Sequence, residues 1–411
     1  MKLNGSACQS EEISAMSDKL NTICIDAKFI STVHVEVRLK KGVSKLEVEK
    51  CRPSIRDALL SSENVLNWRP ISLSDDNGDL SKMIDNILVG CSARPDGSVL
   101  NLRNLTILDS NVHIYRMMEY EPEKQEICVD NDTQSTSVGS QIWALPCQEF
   151  DQIWENLIFS DNIKNELLSY IYAVLRISDR GANTSILRIN RLILLHGPPG
   201  TGKTSLCKGL AQKLSIRLNK RYKQSVFVEI NSHSLFSKWF SESGKLVQKM
   251  FDHIEELADD NKTLIFVLID EVESLSMARA GALNRNEPGD AVRAVNALLT
   301  QIDRIRRFPN VLVLTTSNIS KSLDEAFIDR ADISRFVGHP SVYAVYAILL
   351  SCIQEMQRVS ALGLSGRALR QLPVLAYSKT NSESITIEQC LDAFQMAIDE
   401  KRHSSSSSSS L

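Results

Sequence analysis

Hydrophobic positions along this chain follow two different patterns. Apolar and polar residues alternate in Val33–Leu39 and again in Val112–Met117, as expected for strands with one buried face. From Trp143 onward, short and mostly apolar runs alternate with stretches of helical spacing; the runs cover 192–195, 226–230, 264–269 and 311–314. Such runs are typical of parallel strands buried on both faces. The pattern therefore predicts a doubly wound α/β core preceded by a small α/β or α+β module.

The same pattern predicts how the chain is divided. The expected parts are a disordered tail (1–27), an N-terminal module (28–118), an acidic, serine- and threonine-rich linker or loop (119–142), the large α/β domain (143–342), a helical region (343–403) and a disordered serine tail (404–411). Polar and acidic composition favours a linker because such segments bury too little apolar surface to fold alone.

Composition limits the class of protein. The chain has 47 basic and 50 acidic residues, a net charge of −3, so no basic field attracts a nucleic-acid backbone and we expect no direct nucleic-acid binding. Its nine cysteines are scattered, which indicates reduced thiols rather than disulfides or a metal centre. No apolar stretch approaches the roughly 20 residues that span a bilayer. We expect a cytosolic or nuclear chain without a membrane partner.

The most informative chemical motif follows the run 192–195. Its residues match G-x-x-x-x-G-K-[ST] and are Gly197, Pro198, Pro199, Gly200, Thr201, Gly202, Lys203 and Thr204. Glycines let successive backbone N–H groups surround a phosphate, and a helix starting near Lys203 adds its positive end. We expect Lys203 to reach the β- and γ-phosphates of ATP and Thr204 to ligate Mg²⁺. A chance glycine-rich turn is the alternative, but the preceding strand and the following helical pattern favour the phosphate loop.

Further polar residues follow three later elements. Asp270 and Glu271 end the run 264–269, and we expect Asp270 to hold Mg²⁺ and Glu271 to polarise the attacking water. Solvated acids are common at strand ends, but the upstream phosphate loop favours catalysis. Asn318 follows the next run and is interpreted as orienting that water, with turn formation as the alternative. Arg330 follows a short helical stretch, where an isolated arginine is usually a surface ion-pair partner.

These four elements in this order resemble the AAA+ ATPases, and the sequence is more closely similar to the pachytene checkpoint protein 2 family. The likeness rests on 229–247, 268–275, 315–319 and 329–333, is dense over 143–338 and resumes at 363–367. It implies an AAA+ fold with a helical lid. It also implies a homo-hexamer that uses ATP to partly unfold HORMA-domain proteins through a central pore, generally with an adaptor, in meiotic recombination, chromosome-axis and checkpoint control.

The resemblance further implies individual roles and a location. Arg330 matches the arginine presented to a neighbouring subunit's γ-phosphate, Trp239 and Phe240 match the pore loop that grips substrate, and Arg367 matches the lid arginine that touches nucleotide. The N-terminal module would recognise substrate or adaptor, and the expected location is nuclear and chromosome-associated, with the cytoplasm as a second compartment.

Two features leave alternatives open. Trp239 and Phe240 are large apolar residues, for which a place in a core is the alternative, although the resemblance favours the pore loop. Between Ser360 and Gly363 the chain has only two residues where the family carries a longer helical stretch, so we expect a truncated lid. A splice form, a gene-model error and a functional shortening all explain it. The shortened lid favours a scaffold with little turnover as a rival function. A nucleic-acid-associated AAA+ switch is a second rival, against which the acidic balance and the aromatic rather than basic pore segment argue.

Overall fold

A computed structural model describes residues 33–61, 64–71, 79–91, 98–102, 111–127, 137–181, 184–187, 189–231, 243–273, 290–318, 325–348 and 350–351, with isolated positions further along. They divide into two compact units. The first comprises Met1–Leu157 and Asn162–His339, and the second comprises Ile158–Asp161 and Pro340–Leu411. The expected tails, 1–27 and 404–411, lie outside the described residues.

The N-terminal part of the first unit is a mixed sheet with helices. Its elements are β1 (Val33–Leu39), α1 (Lys45–Lys50), α2 (Arg52–Ser61), β2 (Asn64–Leu66), β3 (Pro70–Ile71), α3 (Asp79–Met83), β4 (Ile84–Cys91), β5 (Val99–Asn101) and β6 (Val112–Tyr115). Four strands form a sheet in the order β3-β4-β1-β6, in which β1 is antiparallel to β4 and parallel to β6. Strands β2 and β5 pair separately.

The alternation in β1 has a different basis from the one expected. Its odd-numbered residues, with Ile55 and Leu59 of α2, form the core on one face. The polar side chain of Glu36 is also buried, with 0% exposure. A half-exposed strand was therefore the wrong interpretation, because a helix of the large domain covers the polar face as well.

The large domain is built on a seven-stranded sheet. Its elements are β7 (Glu123–Ile127), β8 (Ser137–Leu145), a 3₁₀ turn (Gln148–Phe150), α4 (Ile153–Asn156), α5 (Ile163–Asp179), α6 (Thr184–Leu187), β9 (Leu192–His196), α7 (Lys203–Arg217), β10 (Gln224–Asn231), α8 (Ser243–Ala258), β11 (Thr263–Asp270), α9 (Asp290–Ile305), β12 (Val311–Ser317), α10 (Glu325–Ile328) and β13 (Ile333–Phe336). The strand order is β13-β9-β12-β11-β10-β8-β7.

The five strands from β13 to β10 are parallel, which confirms the predicted α/β class. Every residue of β12 is buried, as expected when helices cover both faces. Alternate residues of β11, including Val267 and Ile269, pack against α8 and α9 in one apolar cluster. Helix α7 contacts β10, β11 and β12 and lies outside that cluster.

The acidic segment 119–142 is not simply a linker. Strand β7 and the first part of β8 lie within it, and they pair antiparallel at the edge of the large sheet. Strand β8 also pairs antiparallel with β10, through Trp143 opposite Phe227. Hydrogen bonding along a sheet edge thus outweighs the polar composition. Residues 128–136 lie outside the described part.

The second unit is described only in part. Residues 342–348 are helical, and most of the expected lid (343–403) lies outside the described residues. Among the described residues, no helix has the length and apolar character needed to cross a membrane. The remaining domain boundaries stay predictions.

Candidate nucleotide-binding site

The phosphate loop joins β9 to α7 and requires glycine at defined positions. Gly197, Gly200 and Gly202 have φ angles of 147°, 74° and 88°. These values favour glycine because other side chains collide with the backbone there. At Gly197 the space is also closed, since a Cβ would lie 2.2 Å from the carbonyl oxygen of Val337. The sequence therefore adopts a tight loop that ends where the helix begins.

Lys203, the first residue of α7, places its ammonium group inside this loop. Its Nζ donates hydrogen bonds to the carbonyl oxygens of Gly197 at 2.9 Å and Pro198 at 2.7 Å. Burial lowers the pKa of Lys203, while the negative charges of Glu273 and Asp270 act in the opposite direction. The loop thus holds a cation next to backbone N–H groups and a helix N-terminus, a combination that suits phosphate oxygens.

Thr204 and Asp270 come together from different elements. Thr204 Oγ1 lies 3.0 Å and 3.2 Å from the two carboxylate oxygens of Asp270. Thr316, near the end of β12, donates a hydrogen bond to the same carboxylate. A hydroxyl and a carboxylate at the end of parallel strands are oxygen ligands of the kind Mg²⁺ prefers. These residues fit a magnesium ion bound together with phosphate oxygens.

Glu271 lies at the point where β11 leaves the sheet. Its φ angle is 57°, in the left-handed region that non-glycine residues seldom adopt. The backbone N–H of Glu271 donates to Thr316 Oγ1 at 3.2 Å, and that of Val272 to the Thr316 carbonyl at 3.0 Å. Glu271 is exposed, whereas Asp270 is partly buried. Backbone strain held by neighbouring hydrogen bonds is frequent at functional sites.

Asn318 follows β12 at the same edge of the sheet. Strand β12 lies between β9 and β11, with Ser317 opposite His196. The N–H of Gly197 donates to the carbonyl oxygen of Ser317 at 3.1 Å, which joins the phosphate loop to the residue before Asn318. The predicted sensing position and the phosphate loop are therefore neighbours.

Arg330 is held at a separate place, after α10. Its Nε and Nη2 donate to the carboxylate of Asp303 on α9, at 3.1 Å and 2.9 Å. The segment that follows is fixed by Asp332, whose carboxylate accepts hydrogen bonds from the Tyr170 hydroxyl at 2.6 Å and from the N–H of Arg191 at 2.6 Å. Trp239, Phe240 and Arg367 lie outside the described residues.

Sequence reasoning missed three of these positions. Thr316 could have been noticed as a hydroxyl ending an apolar strand. Asp303 and Asp332 carry no local signal, because their partners come from other elements.

Comparison with known proteins identifies the family. Residues 29–117 match the family model described as the Pch2 N-terminal domain, and residues 193–339 match that of the ATPase family associated with various cellular activities (AAA). A putative pachytene checkpoint protein 2 from Caenorhabditis elegans is 48% identical, over 91% of this chain and 98% of its own length. This chain belongs to the pachytene checkpoint protein 2 family of AAA ATPases. The resemblance seen in the motifs is thereby confirmed.

Other members of the pachytene checkpoint protein 2 family are also similar to this chain over most of its length. The human homolog is 40% identical, covering 90% of this chain and 93% of its own length. The solved structure of C. elegans PCH-2 has a TM-score of 0.69 and 46% identity, covering 91% of this chain and all of that one. Membership in the AAA class implies nucleotide binding, typically with Mg²⁺.

The alignment lengths bear on the shortened lid. The C. elegans alignment spans 415 residues, although it covers only 91% of the 411 residues here. The relative therefore has residues without a counterpart in this chain. This agrees with the internal shortening expected between Ser360 and Gly363, which stays a prediction.

Proposed function

We propose that this chain is an ATP-driven remodeller that works as a homo-hexamer and partly unfolds HORMA-domain proteins, with an adaptor, in the nucleus on meiotic chromosomes. The observation that carries the proposal is the meeting of Lys203, Thr204 and Asp270 at one edge of the parallel sheet. Family membership supports the choice of protein clients over other substrates.

The residues of the phosphate-loop site would divide the work of hydrolysis. When bound, Mg²⁺ supplies positive charge to the β- and γ-phosphate oxygens. Thr204 and Asp270 would hold that ion, and Lys203 would exchange its two carbonyl contacts for phosphate oxygens. Neutralising the phosphate charge in this way lowers the energy of the transition state.

Glu271 and Asn318 would act on the water. The carboxylate of Glu271 would accept a proton from the attacking water, which requires a group that the water can reach. Glu271 is exposed at the end of β11 and meets that requirement. Asn318, beside the phosphate loop, would orient the same water through its amide.

Arg330 would complete the site of a neighbouring subunit. An arginine from a second chain stabilises charge that develops during phosphoryl transfer. Hydrolysis would then depend on ring assembly. Force would pass to the client through Trp239 and Phe240, because aromatic side chains give a grip that tolerates many sequences.

An ATPase assay on the purified chain, with and without a HORMA-domain protein, tests the proposal. We expect Mg²⁺-dependent hydrolysis, stimulation by the client and a ring-sized particle in ATP. Glu271→Gln serves as the control that binds ATP without turnover. A chain that binds ATP and assembles but hydrolyses it no faster than Glu271→Gln would favour the scaffold function, which the shortened lid supports. Stimulation by nucleic acid instead of the client would favour the AAA+ switch.

A further inference from the structure

Helix α7 connects the phosphate loop to the N-terminal module. It begins at Lys203 and, fourteen positions later, ends at Arg217. Near its end, Lys213 Nζ lies 2.5 Å from Glu36 Oε2, and Arg217 Nε lies 2.9 Å from Glu36 Oε1. Glu36 belongs to β1, so one helix carries both the phosphate-binding lysine and the partners of a buried acid in the other module.

The ion pairs at this junction are fully enclosed. The side chains of Glu36, Lys213 and Arg217 are 0%, 3% and 1% exposed. Glu155 adds a second carboxylate 2.5 Å from Lys213 Nζ, which balances two cations with two anions. Although burial alone would raise the pKa of Glu36, the charges of Lys213 and Arg217 hold it at about 2, so this acid is ionised. Breaking such a pair leaves an uncompensated buried charge.

Trp68 contacts the same two cations from the N-terminal module. Lys213 Nζ and the guanidinium carbon of Arg217 each lie 4.8 Å from the centre of its ring. The φ angle of Trp68 is 59°, and a Cβ at Gly90 would lie 2.0 Å from the ring. A strained backbone and a neighbouring glycine therefore place the ring against α7. The N-terminal module contacts this helix through an aromatic face as well as through Glu36.

The middle of α7 is also held in place by contacts with residues of the large domain. Gln212 accepts a hydrogen bond from the N–H of Cys147 at 3.1 Å and donates to the Cys147 carbonyl at 2.9 Å. Gly209 packs against Trp154, where a Cβ would come within 3.2 Å of backbone atoms. At 1.5 Å per residue, α7 is roughly 20 Å long. Because it is a regular helix, we expect it to move as one rigid body. A displacement of its last turn therefore reaches Lys203 and Thr204.

We propose that Glu36 is a positioning residue for the nucleotide site: through Lys213 and Arg217 it fixes α7 and thereby the phosphate loop, so that nucleotide binding and docking of the N-terminal module favour each other. The inference rests on the proposed nucleotide binding. Coupling of this kind is reciprocal, so each event must change the free energy of the other by the same amount.

Hydrogen–deuterium exchange of the full chain, with and without a non-hydrolysable ATP analogue and Mg²⁺, tests the first half. We expect slower exchange both in the phosphate loop and in β1 and β4 around Glu36 and Gly90. Slower exchange at the phosphate loop alone would overturn the coupling but keep the nucleotide site. No change at the phosphate loop would instead contradict the proposed function.

Affinity for a fluorescent ATP analogue tests the second half. We expect Glu36→Gln to weaken binding of the analogue by about five-fold or more, the lower end of typical coupling factors. In this variant the nucleotide should no longer slow hydrogen–deuterium exchange in β1. Lys41→Ala is the matched control, because Lys41 lies in the same module and the substitution breaks only an exposed ion pair, with Glu119. Its affinity should equal that of wild type. A lower melting temperature of Glu36→Gln with unchanged affinity would show a purely structural role.

A second variant covers the case in which Glu36→Gln does not fold. Glu36→Met combined with Arg217→Met removes one anion and one cation and leaves Lys213 paired with Glu155, and apolar replacements of buried ion pairs often retain stability. Helix α7 would stay packed, but the ionic link would be lost. We expect weakened nucleotide binding with a preserved melting transition. Wild-type affinity in this double variant would overturn the role of Glu36.

Discussion

Arg330 and Asp303 form a two-point ion pair, with Nε–Oδ1 and Nη2–Oδ2 distances of 3.1 Å and 2.9 Å. Their side chains are 28% and 36% exposed. An ion pair that reaches solvent contributes little to folding, about 0–1 kcal/mol. Arg330 can therefore leave Asp303 for a phosphate group at small cost, while α9 keeps it oriented in the free subunit.

Arg330→Ala should lower ATP turnover while leaving the fold intact. Arginines of this kind contribute roughly 10³–10⁵ in rate. Steady-state hydrolysis and thermal melting measure the two effects on one preparation. Arg306→Ala is the matched control, because Arg306 also pairs with Asp303, at 3.6 Å, without a proposed catalytic role. Equal losses in both variants would contradict the special role of Arg330.

Mixing two inactive variants tests whether Arg330 of one subunit acts at the nucleotide site of the neighbouring subunit. Arg330→Ala subunits retain Glu271, and Glu271→Gln subunits retain Arg330. Mixed rings should therefore contain some sites with both groups and recover part of the hydrolysis. Mixed assembly without recovery would argue against a site shared between subunits.

Glu271→Gln should bind ATP and assemble but hydrolyse almost none, because an amide keeps the shape of the carboxylate and cannot accept the proton from water. A positioned general base contributes typically 10²–10⁴-fold. Nucleotide affinity and single-turnover hydrolysis separate the two properties. Turnover within a few-fold of wild type would exclude Glu271 as the base.

Lys203→Ala should weaken nucleotide binding itself. The substitution removes the cation that lies between the carbonyl oxygens of Gly197 and Pro198. Calorimetric titration with ATP and Mg²⁺ measures the loss, and circular dichroism checks that α7 persists. Unchanged affinity would count against the phosphate-loop assignment.

Features set by residues close together in the sequence were predictable, whereas features set by contacts between distant segments were not. Residues 197–204 were predictable because the loop, the strand before it and the helix after it are contiguous in the chain, and Asp270 was predictable because it directly ends the apolar strand β11. Strands β7 and β8 were not, since β8 pairs with the distant strand β10 and β7 pairs with β8, and their polar composition does not indicate this pairing. The burial of Glu36 depends on α7, 177 positions from it at Lys213, and no local pattern reports such a contact.

Acid should destabilise the protein through two buried histidines. His34 Nδ1 lies 3.1 Å from His113 Nε2, and burial lowers the pKa of His34 to about 2 and that of His113 to about 3, with Arg217 adding to both shifts. In the unfolded chain both histidines become protonated as the pH falls below their usual pKa of 6.5. In the folded chain they stay neutral until the pH is much lower. The free energy of unfolding should therefore be constant above that pH and fall as the pH drops toward 3.

Urea unfolding at a series of pH values measures this slope. His113→Asn removes one titrating group, so its slope should be smaller by up to about 1.4 kcal/mol per pH unit. At the lower end of the window, protonation of Glu36 adds a further loss between its usual pKa of 4.5 and about 2. Identical slopes in wild type and His113→Asn would show that this histidine does not titrate differently in the two states.

Replacing Trp239 and Phe240 together with alanine separates a protein-pulling motor from an ATP-dependent scaffold. Neither residue is proposed to contact nucleotide, so basal hydrolysis and melting should stay near wild type, whereas remodelling of a folded HORMA client should be lost. If the pair instead belonged to a core, each truncation would cost about 3–5 kcal/mol, and the transition would collapse. Melting and remodelling are therefore measured on one preparation. Normal melting with undiminished remodelling would remove the pore-loop role, because the grip on the client would then have to lie elsewhere.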